Sequence, residues 1–260
     1  MNNLNNEQLA KISKWTRLEI FKFKTKSGYG HLASCLSCVD ILVSILFDSN
    51  SIFDKDHDRI IFSKGHGSPA IYPLLVKLGF IDEVELENYC TFGGRLRLHA
   101  DYSIPGCTFV GGSLGNGIGF AAGMAIARSH QKFFVILGDA ELYEGSVWES
   151  MMFIKSKNLT NLITIIDRNK FGILGNTEEI IPLNPLKDKF EAFGFKVIEI
   201  DGHNFDQLRF SFKEKLNAPL VVIANTIKGK GVSYMEDKYE YHTIIPSDEQ
   251  LIKKGIEDLA

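Results

Sequence analysis

The pattern of apolar and polar positions divides the chain into predicted helices and strands. Apolar residues recur with helical spacing over residues 6–24 and 35–47, which predicts two amphipathic helices. Ser68-Pro69 resembles an N-cap followed by a proline at the first helical position. A capping pattern at the start of 82–89 predicts a further helix there.

After a glycine-rich predicted loop at 91–116, short apolar runs alternate with helical periodicity. The predicted strands are 133–137, 162–167, 196–200 and 220–225. The predicted helices are 116–129, 145–157, 185–193, 204–216 and a terminal helix with a capping-box pattern at Ser247 to Gln250. Continuously apolar strands that alternate with helices indicate a parallel sheet covered on both faces. We therefore expect an α/β fold with a central parallel sheet flanked by helices on both faces, and ligands at the carboxyl ends of its strands.

Length, composition and charge narrow the classes of protein. A chain of 260 residues suits a single domain over 1–260, and 45% apolar with 23% charged residues is typical of a globular protein. A net charge of −3 without a dense Lys/Arg block argues against nucleic acid or an anionic membrane as a partner. The amino terminus lacks a signal-peptide pattern, and the longest apolar stretch, 117–127, is shorter than the roughly 20 residues of a membrane span. We expect a cytoplasmic protein with a small-molecule ligand.

The four cysteines include a Cys35-x-x-Cys38 pair, a spacing used by redox and zinc proteins. Apolar residues continue the helical spacing after the pair, which favours small buried thiols on a helix. The other two cysteines are too scattered to complete a zinc-finger spacing.

Polar residues follow two of the predicted strands. Gly138-Asp139 ends the strand 133–137, and Asn169 follows the strand 162–167. Adjacent parallel strands would deliver both side chains to one edge of the sheet, and Mg²⁺ prefers such oxygen ligands, often together with phosphate oxygens. The glycine would allow close approach of a diphosphate. Asp and Asn are also common at strand ends for turn reasons alone, so the pair by itself does not decide.

A dinucleotide site is the rival interpretation. Gly117, Gly119 and Ala122 match a GxGxxA pattern, and Asp139 lies at the end of the next strand. That fingerprint requires a strand directly before the glycines, whereas a loop precedes them here. We rank this interpretation below the magnesium site.

Several motifs together resemble those of one enzyme family. The run GDAELYEGSVWE at 138–149, with Asn169 thirty residues after Asp139, is similar to the thiamine-diphosphate signature that begins GDG and ends in Asn. The resemblance to transketolases covers about residues 5–257 and continues through the segments 27–42, 58–75, 111–127 and 227–236. It implies the diphosphate module of the thiamine-diphosphate-binding fold.

The resemblance assigns roles to individual residues. It implies that Mg²⁺, or Ca²⁺ or Mn²⁺ in its place, is held by Asp139, Asn169 and the main-chain oxygen of Phe171. The implied cofactor contacts are His66, Gly112, Ser113, Leu114, Gly138, Asp139, Ala140, Asn169, Lys228 and His242. The implied catalytic groups are His31, His66, His99, His242 and Glu144, the last at an interface between two active sites. Imidazole suits proton transfer to and from hydroxyls near neutral pH. The remaining histidines, His57, His130 and His203, lie outside this set.

Two positions depart from the family pattern. The third residue of GDG is Ala140, which adds a methyl group close to the expected diphosphate. His242 is followed by Thr243, where the family has glycine, although it lies fourteen residues after Lys228 as the resemblance expects.

The resemblance also implies a partner. In transketolases a glutamate from a second module activates the aminopyrimidine, and this sequence stops where that module would begin. It resembles the amino-terminal subunit of split transketolases, whose partner supplies the pyrimidine module and the carboxy-terminal domain. We expect a heterotetramer of two such chains and two partners, which transfers a two-carbon ketol unit from a ketose phosphate to an aldose phosphate and is inactive without the partner.

Other functions would share part of this pattern. A 1-deoxy-ketose-forming enzyme or a 2-oxo acid dehydrogenase α-subunit would have the metal motif without the histidine set. A degenerate, non-catalytic subunit would account for Ala140 and Thr243.

Overall fold

A computed structural model describes residues 4–47, 54, 57–109, 111–213 and 217–260. In these residues five strands form one parallel sheet in the order β1-β2-β3-β5-β4. The strands are β1 Arg59–Phe62, β2 Phe133–Gly138, β3 Leu162–Arg168, β4 Lys196–Asp201 and β5 Leu220–Asn225. The expected α/β class with a central parallel sheet is confirmed.

Eleven α-helices are found among the described residues. They are α1 Asn6–Ser27, α2 Leu32–Ser37, α3 Val39–Phe47, α4 Tyr72–Lys77, α5 Val84–Glu87, α6 Asn116–Ala127, α7 Gly145–Ser156, α8 Thr177–Ile180, α9 Leu186–Ala192, α10 Phe205–Lys213 and α11 Glu249–Leu259. Short 3-10 helices occupy Gly65–Ile71, Ala140–Tyr143 and Tyr239–His242. In the described part of the chain, no helix is both long enough and apolar enough to span a bilayer.

Helices cover both faces of the sheet, which explains why the central strands β2, β3 and β5 are apolar without alternation. In β2, Phe134 and Ile136 face a core that also contains side chains from α1, α3 and α10. Phe133 and Val135 face the other core, with side chains from α6, α7 and α9. All residues of β2 are therefore buried.

The first half of the chain differs most from its prediction. Strand β1 was not predicted, because it has only four residues and gives little periodicity. The predicted helix 35–47 is two helices that meet at Cys38. The N-cap predicted at Ser68 is wrong, since Ser68 lies inside a 3-10 helix and its hydroxyl accepts a hydrogen bond from the Ala100 N–H at 2.8 Å. The helix predicted over 82–89 is the single turn α5.

The second half follows its prediction within a few residues. Strand β5 has the predicted bounds, and α6, α7 and α9 end within two residues of theirs. The terminal helix α11 is capped by Asp248, which accepts from two main-chain N–H groups, and not by Ser247. The predicted helix 204–216 begins one residue late, and its last three predicted residues, 214–216, lie outside the described part.

The strand register brings the polar residues to one edge. Gly138 pairs with Asp167, and Asp167 pairs with Ala224, so β2, β3 and β5 end at the same level. Asp139 and Asn169 follow the first two of these strands directly. The carboxyl ends of these parallel strands are where a sheet of this kind is expected to bind its ligand.

Candidate active site

A cavity of about 500 Å³ opens at the carboxyl ends of the strands. Its lining includes most of the predicted site residues: His31, His66, His99, Gly112, Leu114, Gly138, Asp139, Ala140, Asn169, Phe171, Lys228 and His242. Ser113 and Glu144 do not line it, and both are exposed. Segments that are distant in sequence therefore meet around one space.

Asp139 is held rigidly at the end of β2. Its Oδ1 accepts from the Ala140 N–H at 2.8 Å, and its Oδ2 accepts from Arg168 Nη1 at 3.0 Å and from the Lys170 N–H at 2.5 Å. Burial raises the pKa of the Asp139 carboxyl, and the Arg168 guanidinium opposes that effect. Arg168 is itself fixed by Glu178 at 2.5 Å.

Asn169 and Phe171 line the same cavity as Asp139. Asn169 Oδ1 accepts from the Phe171 N–H at 3.1 Å, and the Phe171 carbonyl accepts from Lys228 Nζ at 3.2 Å. The main-chain oxygen of Phe171 thus already contacts the ammonium group of Lys228. A carboxylate, an amide oxygen and a carbonyl fit Mg²⁺ when phosphate oxygens complete the shell.

No group of three or more His, Cys, Asp or Glu side chains that could hold a metal is found in the described part of the chain. A cation here would therefore need the Asn169 amide oxygen, the Phe171 main-chain oxygen and phosphate oxygens in addition to the Asp139 carboxylate. Cys35 and Cys38 are free and buried, as predicted.

A network of buried charges lies under the cavity, and sequence reasoning missed most of it. We call Lys64, Asp139, Glu141, Asp167 and Arg168 the floor; each is at most 3% exposed. Burial alone would lower the pKa of Lys64 and raise that of Asp167. The opposite charge of its partner has the larger effect in each case, so the Lys64 pKa is raised and the Asp167 pKa is lowered. Lys64 Nζ lies 2.5 Å from Asp167 Oδ2.

Asp167 is saturated by further donors. The Ser37 hydroxyl donates to its Oδ2 at 2.6 Å, and the Thr226 hydroxyl donates to its Oδ1. Lys64 Nζ also donates to the Ser34 carbonyl at 3.0 Å. The pair therefore ties the turn after β1, helix α2 and the ends of β3 and β5 together.

Glu141 connects three other loops. Its Oε1 accepts from the Ser63 hydroxyl and from the Gly115 N–H at 2.8 Å, and its Oε2 accepts from the Gly138 N–H at 3.1 Å. Burial raises its pKa, and these donors oppose the shift. The glutamate holds the loop before α6 against the ends of β1 and β2.

Four imidazoles, His31, His66, His99 and His242, form what we call the histidine cluster. Ring centroids are 5.3 Å apart for His31 and His66, 5.3 Å for His31 and His242, and 6.5 Å for His31 and His99. Burial, together with nearby lysines, lowers the pKa of every member, and the pKa is about 4 in His31 and about 3 in His242. The rings are therefore neutral at pH 7.

The cluster has free hydrogen-bonding capacity. In the described part of the chain, His31 Nδ1 and His99 Nε2 are buried without a partner. His242 Nδ1 lies 3.0 Å from Lys228 Nζ and accepts a hydrogen bond from it. Burial, with a smaller effect of the nearby Lys64 charge, lowers the pKa of Lys228 to about 8. Neutral rings with unpaired nitrogens can exchange protons with a bound hydroxyl compound.

The dinucleotide interpretation does not fit the structure. Gly117 and Gly119 lie inside α6 and not in a turn that follows a strand. A Cβ on Gly117 would lie 2.6 Å from the Ser63 Cα, so this glycine serves close packing of the helix against the turn after β1.

Comparisons with known proteins agree with this geometry. Residues 17–254 match the family described as transketolase, thiamine diphosphate binding domain. A subunit of the apulose-4-phosphate transketolase of Phocaeicola vulgatus is 34% identical over 94% of this chain and 91% of its own length. The 6-deoxy-6-sulfo-D-fructose transketolase subunit SqwG of a Clostridium species is 38% identical over 92% of this chain and 90% of its own.

A solved structure of a transketolase from Campylobacter jejuni has the same fold. It superposes with a TM-score of 0.89 at 27% identity. The match covers 98% of this chain and 43% of the Campylobacter protein, so this chain corresponds to less than half of that enzyme.

Proposed function

This chain belongs to the transketolase family, and from that premise we propose that it is the amino-terminal, thiamine-diphosphate-binding subunit of a split transketolase. The complex would transfer a two-carbon ketol unit from a ketose or its phosphate to an aldose or its phosphate. The observation that carries the proposal is the single cavity at which strand-end oxygens, Lys228 and the histidine cluster meet. Similar chains that are named as subunits of transketolases support the division into two chains.

The residues under the cavity would hold the cofactor. Asp139, Asn169 and the Phe171 oxygen are the proposed ligands of Mg²⁺, for which Ca²⁺ or Mn²⁺ could substitute. The diphosphate would be held by Lys228, His66 and the main chain of Gly112, Ser113, Leu114, Gly138 and Ala140. The Ala140 methyl group lies close to Gly172: a Cβ added to Gly172 would be 3.2 Å from it. Because residue 172 is a glycine, there is room for the methyl group that replaces the third residue of GDG.

The histidine cluster would handle the protons. Thiamine diphosphate, when bound, supplies the electron sink for the carbanion equivalent. His31 and His99 have the unpaired ring nitrogens that can accept a hydroxyl proton or return it. His242 would be oriented by Lys228, which donates to its Nδ1 and leaves its proton on Nε2.

A partner chain would complete the site. We propose a heterotetramer in which the partner supplies the activating glutamate, the pyrimidine module and the carboxy-terminal domain. Glu144, the N-cap residue of α7, is exposed and therefore available at an interface between subunits. Exposed apolar side chains of α7, Met152 and Phe153, lie on the same helix.

The test is reconstitution with the protein that co-purifies with this chain. We expect Mg²⁺-dependent binding of thiamine diphosphate by calorimetry and ketol transfer only when both chains are present. Ketol transfer by this chain alone would disprove the split arrangement. Failure of the assembled complex to bind thiamine diphosphate would favour a non-catalytic role.

A further inference from the structure

A buried chain of polar side chains joins the first helix to the turn that carries Lys228. Arg17 on α1 donates to both carboxylate oxygens of Asp40 on α3, at 3.0 and 2.7 Å. His203, which lies between β4 and α10, contacts the same carboxylate: its Nδ1 is 2.6 Å from Asp40 Oδ2. The three side chains are 7 to 13% exposed.

The second ring nitrogen of His203 reaches the main chain. Its Nε2 accepts from the Ile227 N–H at 2.9 Å. A main-chain N–H can only donate, so Nε2 must carry a lone pair and the ring proton must be on Nδ1, where it donates to Asp40. One neutral tautomer satisfies both contacts, and the ion pair of Asp40 with Arg17 keeps the carboxylate charged.

Ile227 directly precedes Lys228. The N–H of Thr226, one residue earlier, donates to the Arg168 carbonyl at 3.1 Å and so continues the sheet. Beyond that bond the chain leaves β5, and the imidazole of His203 is the acceptor that holds it at Ile227. On the other side of Lys228 the Gly229 N–H donates to the Ala33 carbonyl at 3.1 Å. The His203 ring and this bond therefore hold the main chain on either side of Lys228.

Three contacts fix the position of the Lys228 ammonium group. Its Nζ donates to the Phe171 carbonyl at 3.2 Å and to His242 Nδ1 at 3.0 Å, and it lies 3.4 Å from Ser34 Oγ. A shift of the turn would break these contacts together, because hydrogen bonds weaken steeply with distance and angle.

We propose that His203 is a positioning residue, held by Asp40 and Arg17, that fixes the turn at Ile227 and thereby aims Lys228 at the diphosphate end of the site. The proposal rests on the proposed function, in which Lys228 contacts the cofactor. His203 itself is not among the described residues that line the cavity.

Two substitutions of His203 separate its contacts. The amide of Asn reaches the position of Nδ1, so His203→Asn keeps a donor for Asp40 and loses the bond to Ile227. The longer Gln reaches the position of Nε2, so His203→Gln can still accept from Ile227. His130→Asn, at an exposed histidine outside the site, is the matched control.

The first measurement needs no cofactor. Amide hydrogen exchange in the ¹⁵N-labelled full chain should become faster at Ile227 by at least about threefold in His203→Asn, and should stay near the wild-type rate in His203→Gln and His130→Asn. Unchanged exchange at Ile227 in His203→Asn would overturn the proposal.

The second measurement is the Kd of thiamine diphosphate with Mg²⁺ for the complex with its partner. His203→Asn should raise the Kd about three- to tenfold, as expected for one lost hydrogen bond, and His203→Gln should largely restore it. In a Lys228→Met background the same substitution should have no further effect, because the effect passes through Lys228. An equal loss in both backgrounds, or an unchanged Kd, would overturn the proposal. A wild-type complex that binds no cofactor would count against the proposed function instead, and the exchange experiment would still decide whether His203 holds the turn.

Discussion

Members of the floor and the histidine cluster line one cavity, and the two groups differ in how completely hydrogen bonds within the protein satisfy them. The carboxylates of Asp139, Glu141 and Asp167 each accept hydrogen bonds from this chain, from at least three donors. In the cluster, buried nitrogens of His31 and His99 have no partner within the described residues. The floor is thus completed by folding, whereas the cluster needs a ligand or a partner to complete it.

The largest expected effect comes from breaking the floor. Asp167→Ala would leave the buried Lys64 ammonium without its carboxylate, and we expect the free energy of unfolding to fall by about 3–5 kcal/mol. Chemical denaturation followed by circular dichroism measures this. The double variant Lys64→Met, Asp167→Leu should recover much of the loss, because it removes both charges.

A matched control uses a surface pair. Glu7→Gln removes the exposed ion pair with Lys11, which spans 2.6 Å, and should change stability by less than about 0.5 kcal/mol. If Asp167→Ala lowered the free energy of unfolding by no more than Glu7→Gln does, the buried charges of the floor would not stabilise the fold.

The next effect tests whether the floor also serves the ligand. Asp139→Asn should weaken Mg²⁺-dependent binding of thiamine diphosphate to the assembled complex by about 100-fold or more, since loss of a metal ligand exceeds the effect of losing its supporting contacts. Calorimetric titration with and without Mg²⁺ gives the value. An affinity within about threefold of the wild type would remove Asp139 from the proposed metal site.

Glu141→Gln should have a smaller effect on stability, about 1–3 kcal/mol, because the amide group would face N–H and O–H donors and leave one of them unpaired. Thermal and chemical unfolding of the full chain measure it. Glu149→Gln, at an exposed position on α7, is the control and should have no measurable effect. Equal results for the two variants would show that Glu141 does not hold the three loops.

The smallest effect concerns the cluster and pH. The pKa of His31 is about 4 in the folded chain and 6.5 ordinarily, so the unfolded chain takes up the proton first as the pH falls. Stability that is fully present above pH 6.5 is therefore lost progressively between about pH 6.5 and 4. His31→Asn should flatten this part of the stability curve, and His130→Asn should not. A curve for His31→Asn that is as steep as that of the wild type would contradict the assignment of a neutral ring.

The same contrast explains what the sequence could and could not predict. Strands β2, β3 and β5 were predicted closely because both of their faces are buried, which leaves a continuous apolar run in the sequence. Strand β1 was missed because four residues give no periodic signal. Asp139 and Asn169 could be named because each lies at a strand end, and His31 and His66 because each lies within a matched motif.

The rest of the site depends on partners that are distant in sequence. Lys64 and Asp167 are 103 residues apart, and nothing near either residue shows that they pair. His203 was left out because it lies in none of the matched motifs, and its partners Asp40 and Ile227 lie on other elements. The sequence shows only that Lys64 and Asp167 are charged residues beside apolar strands. That indicates buried charges but does not identify the partner of either residue.

The cavity collects side chains from His31 to His242, nearly the whole length of the chain. No contiguous fragment contains the site, so the long loops between these segments must close before any of it exists. A ligand bound there would consequently select the fully folded chain over every partly folded one. It would raise the midpoint of unfolding in proportion to the logarithm of its concentration, and a melting curve would report occupancy of the site.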